Sequence, residues 1–133
     1  TKILVFVGSR ALADLVFEKL EAQFEDALGL IHSNKAQNNR FETVKAFQEG
    51  RIRILIATDL IARGIDVTDV TQVINFDIPD APENYIHRIG RTGRADKQGE
   101  ALTFVTPAEQ ATLQAIEKLM ERTLEFIALP QAV

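Results

Sequence analysis

A chain of 133 residues has the size of one domain, so a single hydrophobic core is expected over residues 1–133. Hydrophobic residues at 46% and charged residues at 26% exclude a disordered or fibrous chain, and no apolar run approaches the roughly 18 residues of a membrane span. A formal net charge of -4 excludes a protein that coats nucleic acid through overall positive charge, so any such contact must be local. There is no cysteine, and the start Thr1-Lys2-Ile3-Leu4 lacks the make-up of a signal peptide. The expectation is therefore a monomeric domain with no membrane contact, cytoplasmic in location.

The run Ile3-Leu4-Val5-Phe6-Val7 is unbroken apolar and rich in β-branched residues, which predicts a strand buried on both faces. Gly8-Ser9-Arg10 ends it. Leu12, Leu15, Val16, Leu20 and Phe24 then recur at helical spacing, with Ser9 placed to cap the helix. Leu28 to Ile31 is a second strand. Asn34 and Gln37 have capping-box spacing ahead of a helix whose stripe is Phe41, Val44 and Phe47 and whose stop is Gly50. Arg53 to Ala57 is a third strand, Thr58 to Thr71 an irregular stretch, and Val73 to Phe76 a fourth strand. Pro79 and Pro82 allow a fresh helix over about Ala81 to Ile89, with Pro82 near the first turn where a missing N–H costs little. Ala101 to Val105 closes the strands, and Leu113, Ile116, Leu119 and Met120 mark a last helix opening near Thr106-Pro107. This alternation predicts an α/β domain with a mainly parallel sheet and helices on both faces. In open sheets of this kind ligands gather at the carboxyl ends of strands, where Gly8 to Arg10, His32 to Asn34, Thr58 to Asp66 and Asp77 to Asp80 all fall.

The chain carries no G-x-x-x-x-G-K-[ST] and no G-x-G-x-x-G, so neither a P-loop nor a dinucleotide fold is supported. An Asp-Glu-x-Asp cluster for Mg²⁺ and a histidine pair at metal-ligand spacing are missing too, so no metal site is expected. Within an acidic chain, however, the stretch from Tyr85 to Gln98 sets Arg88, Arg91, Arg94 and Lys97 against Asp96 alone. Arg91 and Arg94 leave a helix end through Gly90 and Gly93, residues that let backbone approach a ligand closely. Arginine offers a permanent charge and forked donors that match phosphate, the chemistry of an arginine finger. One such arginine is adequately explained as a basic helix end favoured by the macrodipole. The full octapeptide is not.

The segment Tyr85-Ile86-His87-Arg88-Ile89-Gly90-Arg91-Thr92-Gly93-Arg94 resembles motif VI of DEAD-box RNA helicases, Tyr-x-His-Arg-x-Gly-Arg-x-Gly-Arg, at every position. Ile56-Ala57-Thr58-Asp59-Leu60-Ile61-Ala62-Arg63-Gly64-Ile65-Asp66 resembles motif V, Val5-Phe6-Val7-Gly8-Ser9-Arg10 motif IV, Gln37-Asn38-Asn39-Arg40 motif IVa, and Asp77 falls on motif Va. The likeness runs from about Ile3 to Pro130 with the motifs in family order. It implies a three-layer RecA-like domain, the C-terminal lobe of a two-lobed enzyme whose N-terminal ATP-binding lobe is absent from this chain and holds Mg²⁺. By resemblance, Arg91 and Arg94 reach ATP, His87 helps couple the lobes, and Asp66 binds the ribose hydroxyls. Ser9, Arg10, Thr58 and Gly64 fall where the family touches the RNA backbone, and Gln37, Arg40, Arg63, Asp77 and Arg88 where it braces the lobes. Ser9, Gln37 and Thr58 equally suit helix capping. One departure stands out: His32-Ser33-Asn34 replaces the His-Gly-Asp of many relatives, losing a glycine and a carboxylate from a loop that would face RNA.

Two other readings belong to different classes. A DNA helicase or translocase of the same superfamily would share fold and fingers, although such relatives usually carry Gln where His87 stands. A non-catalytic RNA-binding or partner-docking module would need no second lobe.

Overall fold

The central strand β1 (Ile3–Val7) is flanked on both sides and buried on both faces, which is why its five residues include no polar position. Side chains alternate across a strand. Leu4 and Phe6 therefore join Ile31, Phe47, Leu55, Ala57 and Val73 in one apolar layer, while Val5 and Val7 join Ala13, Val16, Leu28, Leu30 and Ile56 in the other. The computed structural model describes residues 2–32, 37–58, 70–79, 81–89, 100–121 and 123–124; the side chains of residues 37–40, 89 and 100 fall outside that description. Over those residues the chain forms β2 (Leu28–Ile31), β3 (Ile54–Thr58), β4 (Gln72–Asn75) and β5 (Glu100–Thr103), and the helices α1 (Arg10–Phe24), α2 (Gln37–Gln48), α3 (Pro82–Ile89) and α4 (Gln110–Met120).

The sheet order is β2-β3-β1-β4-β5, and every pairing is parallel. The expected mainly parallel α/β sheet is thus wholly parallel among the described strands. α1 lies over β1, β2 and β3 on one face. α2 covers the opposite face through Phe47 and Val44. α3 and α4 pack together through Ile78, Tyr85, Leu113 and Ile116. They lie on the α2 side, since Arg88 of α3 sits over the ring of Phe6.

Local chemistry sets most boundaries. Ser9 is extended, and its Oγ accepts the Leu12 amide at 3.1 Å, so it caps α1 as expected. Gly50 takes φ +84 just past α2, a left-handed conformation natural to glycine. Thr106 and Glu109 form a capping box around Pro107, giving a 3₁₀ turn (Pro107–Glu109) that leads into α4. The helical stripes need correction. Leu15, Phe24 and Phe41 are exposed, the last at 71%, and Ala13 takes the buried position on α1. Leu119 is also exposed on α4, where Leu113 and Ile116 carry the burial. Asn34 lies outside the described residues.

Candidate functional site

The strand order reverses direction at β1: the chain leaves it toward β2 and β3 on one side, then crosses to β4 and β5 on the other. Such a switch point opens a crevice at the carboxyl ends of the two strands that diverge. Here those ends are Gly8 after β1 and Asp77 after β4, and they touch. The Gly8 amide donates to Asp77 Oδ2 at 2.9 Å. A Cβ on residue 8 would stand 2.6 Å from that oxygen, so only glycine lets the carboxylate reach the backbone.

The same carboxylate faces α3. Arg88 is 1% exposed, yet it is charged. A buried charge persists only where it is paired and hydrogen-bonded. Its Nη1 donates to the Asp77 carbonyl at 2.6 Å and to Asn75 Oδ1 at 3.4 Å, Nη2 faces Asp77 Oδ1 at 3.5 Å, and the guanidinium sits 5.4 Å from the Phe6 ring centroid. Asn75, wholly buried, donates from Nδ2 to Thr103 Oγ1 at 3.0 Å, and that hydroxyl donates to Tyr85 Oη at 3.1 Å. No buried side-chain nitrogen or oxygen among the described residues is left without a partner. Pairing at both ends of its amide explains how a strand can carry Asn75 in its core-facing row.

The other sequence-assigned residues fall around this corner. Ser9 and Arg10 open α1 and are exposed. Thr58 ends β3 in register with Val7, half-buried. His87 is exposed in the last turn of α3, beside the buried Arg88. Gln37 and Arg40 stand in the first turn of α2, with side chains outside the described residues. Arg63, Gly64, Asp66, Arg91 and Arg94 also lie outside them. His32, after β2, is 4% exposed with Nε2 2.9 Å from Asp14 Oδ1 on α1. The structure thus gathers Gly8, Ser9, Arg10, Thr58 and Asp77 along the carboxyl edge of the sheet, with His87 next in sequence to the Arg88 that reaches Asp77. Sequence reasoning passed over Asn75, Thr103 and Tyr85 as a connected set. The available signal was an asparagine inside the apolar run Val73-Ile74-Asn75-Phe76.

What this edge can do follows from its charges. A surface hollow lined by Phe17, Glu21, Glu25, Asp26 and Leu28 lies at the opposite, amino edge, where three carboxylates would repel phosphate. At the carboxyl edge, the Asp77 carboxylate accepts from the Gly8 amide and faces Arg88, so its charge is already engaged, and the last turn of α3 carries the basic pair His87 and Arg88. No group of three His, Cys, Asp or Glu among the described residues could hold a metal ion. No described helix is long and apolar enough to cross a membrane.

Comparison with known proteins agrees with this arrangement. Residues 1–96 match the family model of the helicase conserved C-terminal domain. The chain is 44% identical over 127 residues to the DEAD-box ATP-dependent RNA helicase CshA of Bacillus subtilis, covering 96% of this chain and 26% of that protein. Among solved structures it resembles the E. coli DEAD-box protein SrmB bound to regulator of ribonuclease activity A, with a TM-score of 0.84, 35% identity and coverage of 97% of this chain and 75% of that one. It also resembles a DEAD box protein from Methanococcus jannaschii, with a TM-score of 0.82, 40% identity and coverage of 92% and 33%. The chain spans about a quarter of the length of the curated relatives it matches.

Proposed function

The chain belongs to the DEAD-box RNA helicase family as its C-terminal RecA-like domain, and from that premise we propose that it serves as the second lobe of an RNA-stimulated ATPase that separates or remodels RNA. Its partners in this reading are RNA and an N-terminal lobe that holds ATP and Mg²⁺. Bound there, ATP supplies the phosphoryl group whose transfer to water drives the cycle.

The contribution of this chain is electrostatic and positional. Arg91 and Arg94 neutralise charge developing on the transferred phosphoryl group, as phosphoryl transfer requires. Asp66 accepts from the ribose hydroxyls, and His87, exposed one residue before the buried Arg88, couples the lobes. Ser9, Arg10, Thr58 and Gly64 hold RNA by its backbone, which fixes register without reading bases. Gln37, Arg40 and Arg63 brace the interlobe surface, while Asp77 and Arg88 support it from within. The donor set fits a nucleotide's phosphates: cationic forks follow a helix end beside a carboxylate that is already engaged.

The observation that carries this reading is the anchoring of α3. Arg88 ties the helix that leads into Arg91 and Arg94 to Asp77, chiefly through the Asp77 carbonyl, while the Asp77 carboxylate accepts from the Gly8 amide just before Ser9 and Arg10. The helix that precedes the ATP-side arginines and the loop that carries Ser9 and Arg10 thereby meet at Asp77. The test is Arg91→Ala and Arg94→Ala in the full-length protein: RNA-stimulated ATP turnover should fall by something approaching ~10³ to 10⁵. Near-normal turnover in both variants would overturn the finger assignment. Matched RNA and DNA strands test the substrate class, because the 2′-hydroxyl distinguishes them; equal stimulation would favour a DNA-capable enzyme.

A further inference from the structure

The buried polar groups behind α3 form a closed ring. It starts at Tyr85 on α3, passes through Thr103 on β5 and Asn75 on β4, and returns to Arg88 on α3. Tyr85 and Arg88 are three apart and so lie on one face of the helix, one turn from each other. A helix held at one point can roll about its axis and slide along it. One held at two points a turn apart, against two different strands, can do neither.

The hydrogen-bond directions in the ring follow from Arg88, and Thr103 is what allows them all to be satisfied. An asparagine amide is symmetric in shape but not in chemistry, with an acceptor on one side and donors on the other. Arg88 can only donate, so Asn75 must turn Oδ1 toward it. Nδ2 then points away from Arg88 and needs an acceptor, which Thr103 Oγ1 supplies at 3.0 Å. Its single proton goes to Tyr85 Oη, which completes the ring. Valine at 103 would keep the shape, yet it would leave Nδ2 of a wholly buried Asn75 without its acceptor and Tyr85 without its donor.

Resting on the proposed finger function, we infer that Thr103 is a positioning residue for ATP hydrolysis: its hydroxyl pairs both with the Asn75 amide that meets Arg88 and with Tyr85, and so adds to the Asp77 carbonyl's hold on Arg88 a second constraint on the axial position and roll of the helix leading into Arg91 and Arg94. It touches neither nucleotide nor RNA. Its effect is confined to how accurately the fingers are presented, and that accuracy matters most in the transition state.

The experiment compares Thr103→Val, Thr103→Ser and Tyr85→Phe with Arg91→Ala in the full-length protein, measuring kcat and KM for ATP at saturating RNA together with RNA affinity. Thr103→Val should lower kcat on the order of ten- to a hundredfold, the scale of a small misplacement of a catalytic group, while KM for ATP and RNA affinity stay within about twofold. Thr103→Ser should restore kcat, since it returns the hydroxyl. Tyr85→Phe should lower kcat less than Thr103→Val, because Asn75 keeps its partner. Normal kcat in Thr103→Val, or an equal loss in Thr103→Ser, overturns the inference. If Thr103→Val fails to fold, Tyr85→Phe decides, and unchanged kcat there overturns it. The control separates the two layers: if Arg91→Ala is also normal, the finger reading fails, whereas a crippled Arg91→Ala beside a normal Thr103→Val removes the positioning role alone.

Discussion

The helices α1 and α3 are held to the same sheet by opposite means. α1 runs fifteen residues and is fixed by aliphatic burial, with Ala13 and Val16 inside and Leu12, Phe17 and Leu20 packed against the same layer. α3 runs eight, too short to gain much from area alone, and its deepest side chains are an arginine and a tyrosine that reach polar partners on β4 and β5. Apolar burial is non-directional, so it secures a helix without fixing its roll tightly. Hydrogen bonds are directional, so they can fix it. Under the proposed function, directional anchoring is used on the helix that leads in sequence to Arg91 and Arg94, and apolar burial on α1.

That contrast can be broken by substitution. The largest effect is expected from Arg88→Met, which removes the guanidinium but leaves Asn75 and Asp77 facing an apolar group; urea unfolding should show a loss of about 3 kcal/mol. A loss well under 1 kcal/mol would mean that α3 is held by packing after all. Val16→Ala tests the other side, with a loss of about 2 kcal/mol from transfer and cavity terms and no change in ATP turnover by the full-length protein. If Val16→Ala lowered kcat as Thr103→Val does, the division between securing and positioning would collapse. Ser9→Ala should cost about 1 kcal/mol through the lost cap on α1, read in the same unfolding experiment.

The smallest effect belongs to the exposed pair Arg51 and Glu49, where the arginine holds the carboxyl below its ordinary pKa. A folded-state pKa below the unfolded one adds stability above the unfolded value and loses it as pH falls through the folded value. Both groups are in water, so Arg51→Ala should leave the unfolding midpoint unchanged at pH 7 and at pH 4. A measurable shift would give surface charge a part in the fold that neither helix suggests.

Much of the architecture was legible because it depends on local pattern. β1 and β2 begin and end where their apolar runs do, Ser9 caps α1, and Thr106-Pro107 opens the turn into α4. The other strand ends moved by a residue or two, as with β5, which ends at Thr103 rather than Val105. Periodicity misjudged Leu15, Phe24 and Phe41, because a stripe drawn on one helix does not reveal how far the neighbouring sheet extends beneath it. The motifs located the carboxyl edge, and the topology brings Gly8 and Asp77 together there. What local pattern could not show was the connection between Asn75 and Thr103, twenty-eight positions apart, or that Arg88 of a basic segment points inward. Those are facts of strand order, which places β4 beside β5 and both beneath α3.

The approach of Asp77 to Gly8 has a consequence for any attempt to redesign this edge. With Asp77 in place, 2.6 Å separates its oxygen from where a Cβ on residue 8 would stand, so any side chain at position 8 would force the carboxylate to shift from its bond to the residue 8 amide. The restriction comes from the aspartate, since Gly8, unlike Gly50, shows no positive φ that would itself demand glycine. Shortening residue 77 to serine would open position 8 to alanine. Position 8 is therefore restricted by a residue sixty-nine positions away in the chain, and a library that randomises position 8 alone will credit to the glycine a restriction that Asp77 imposes.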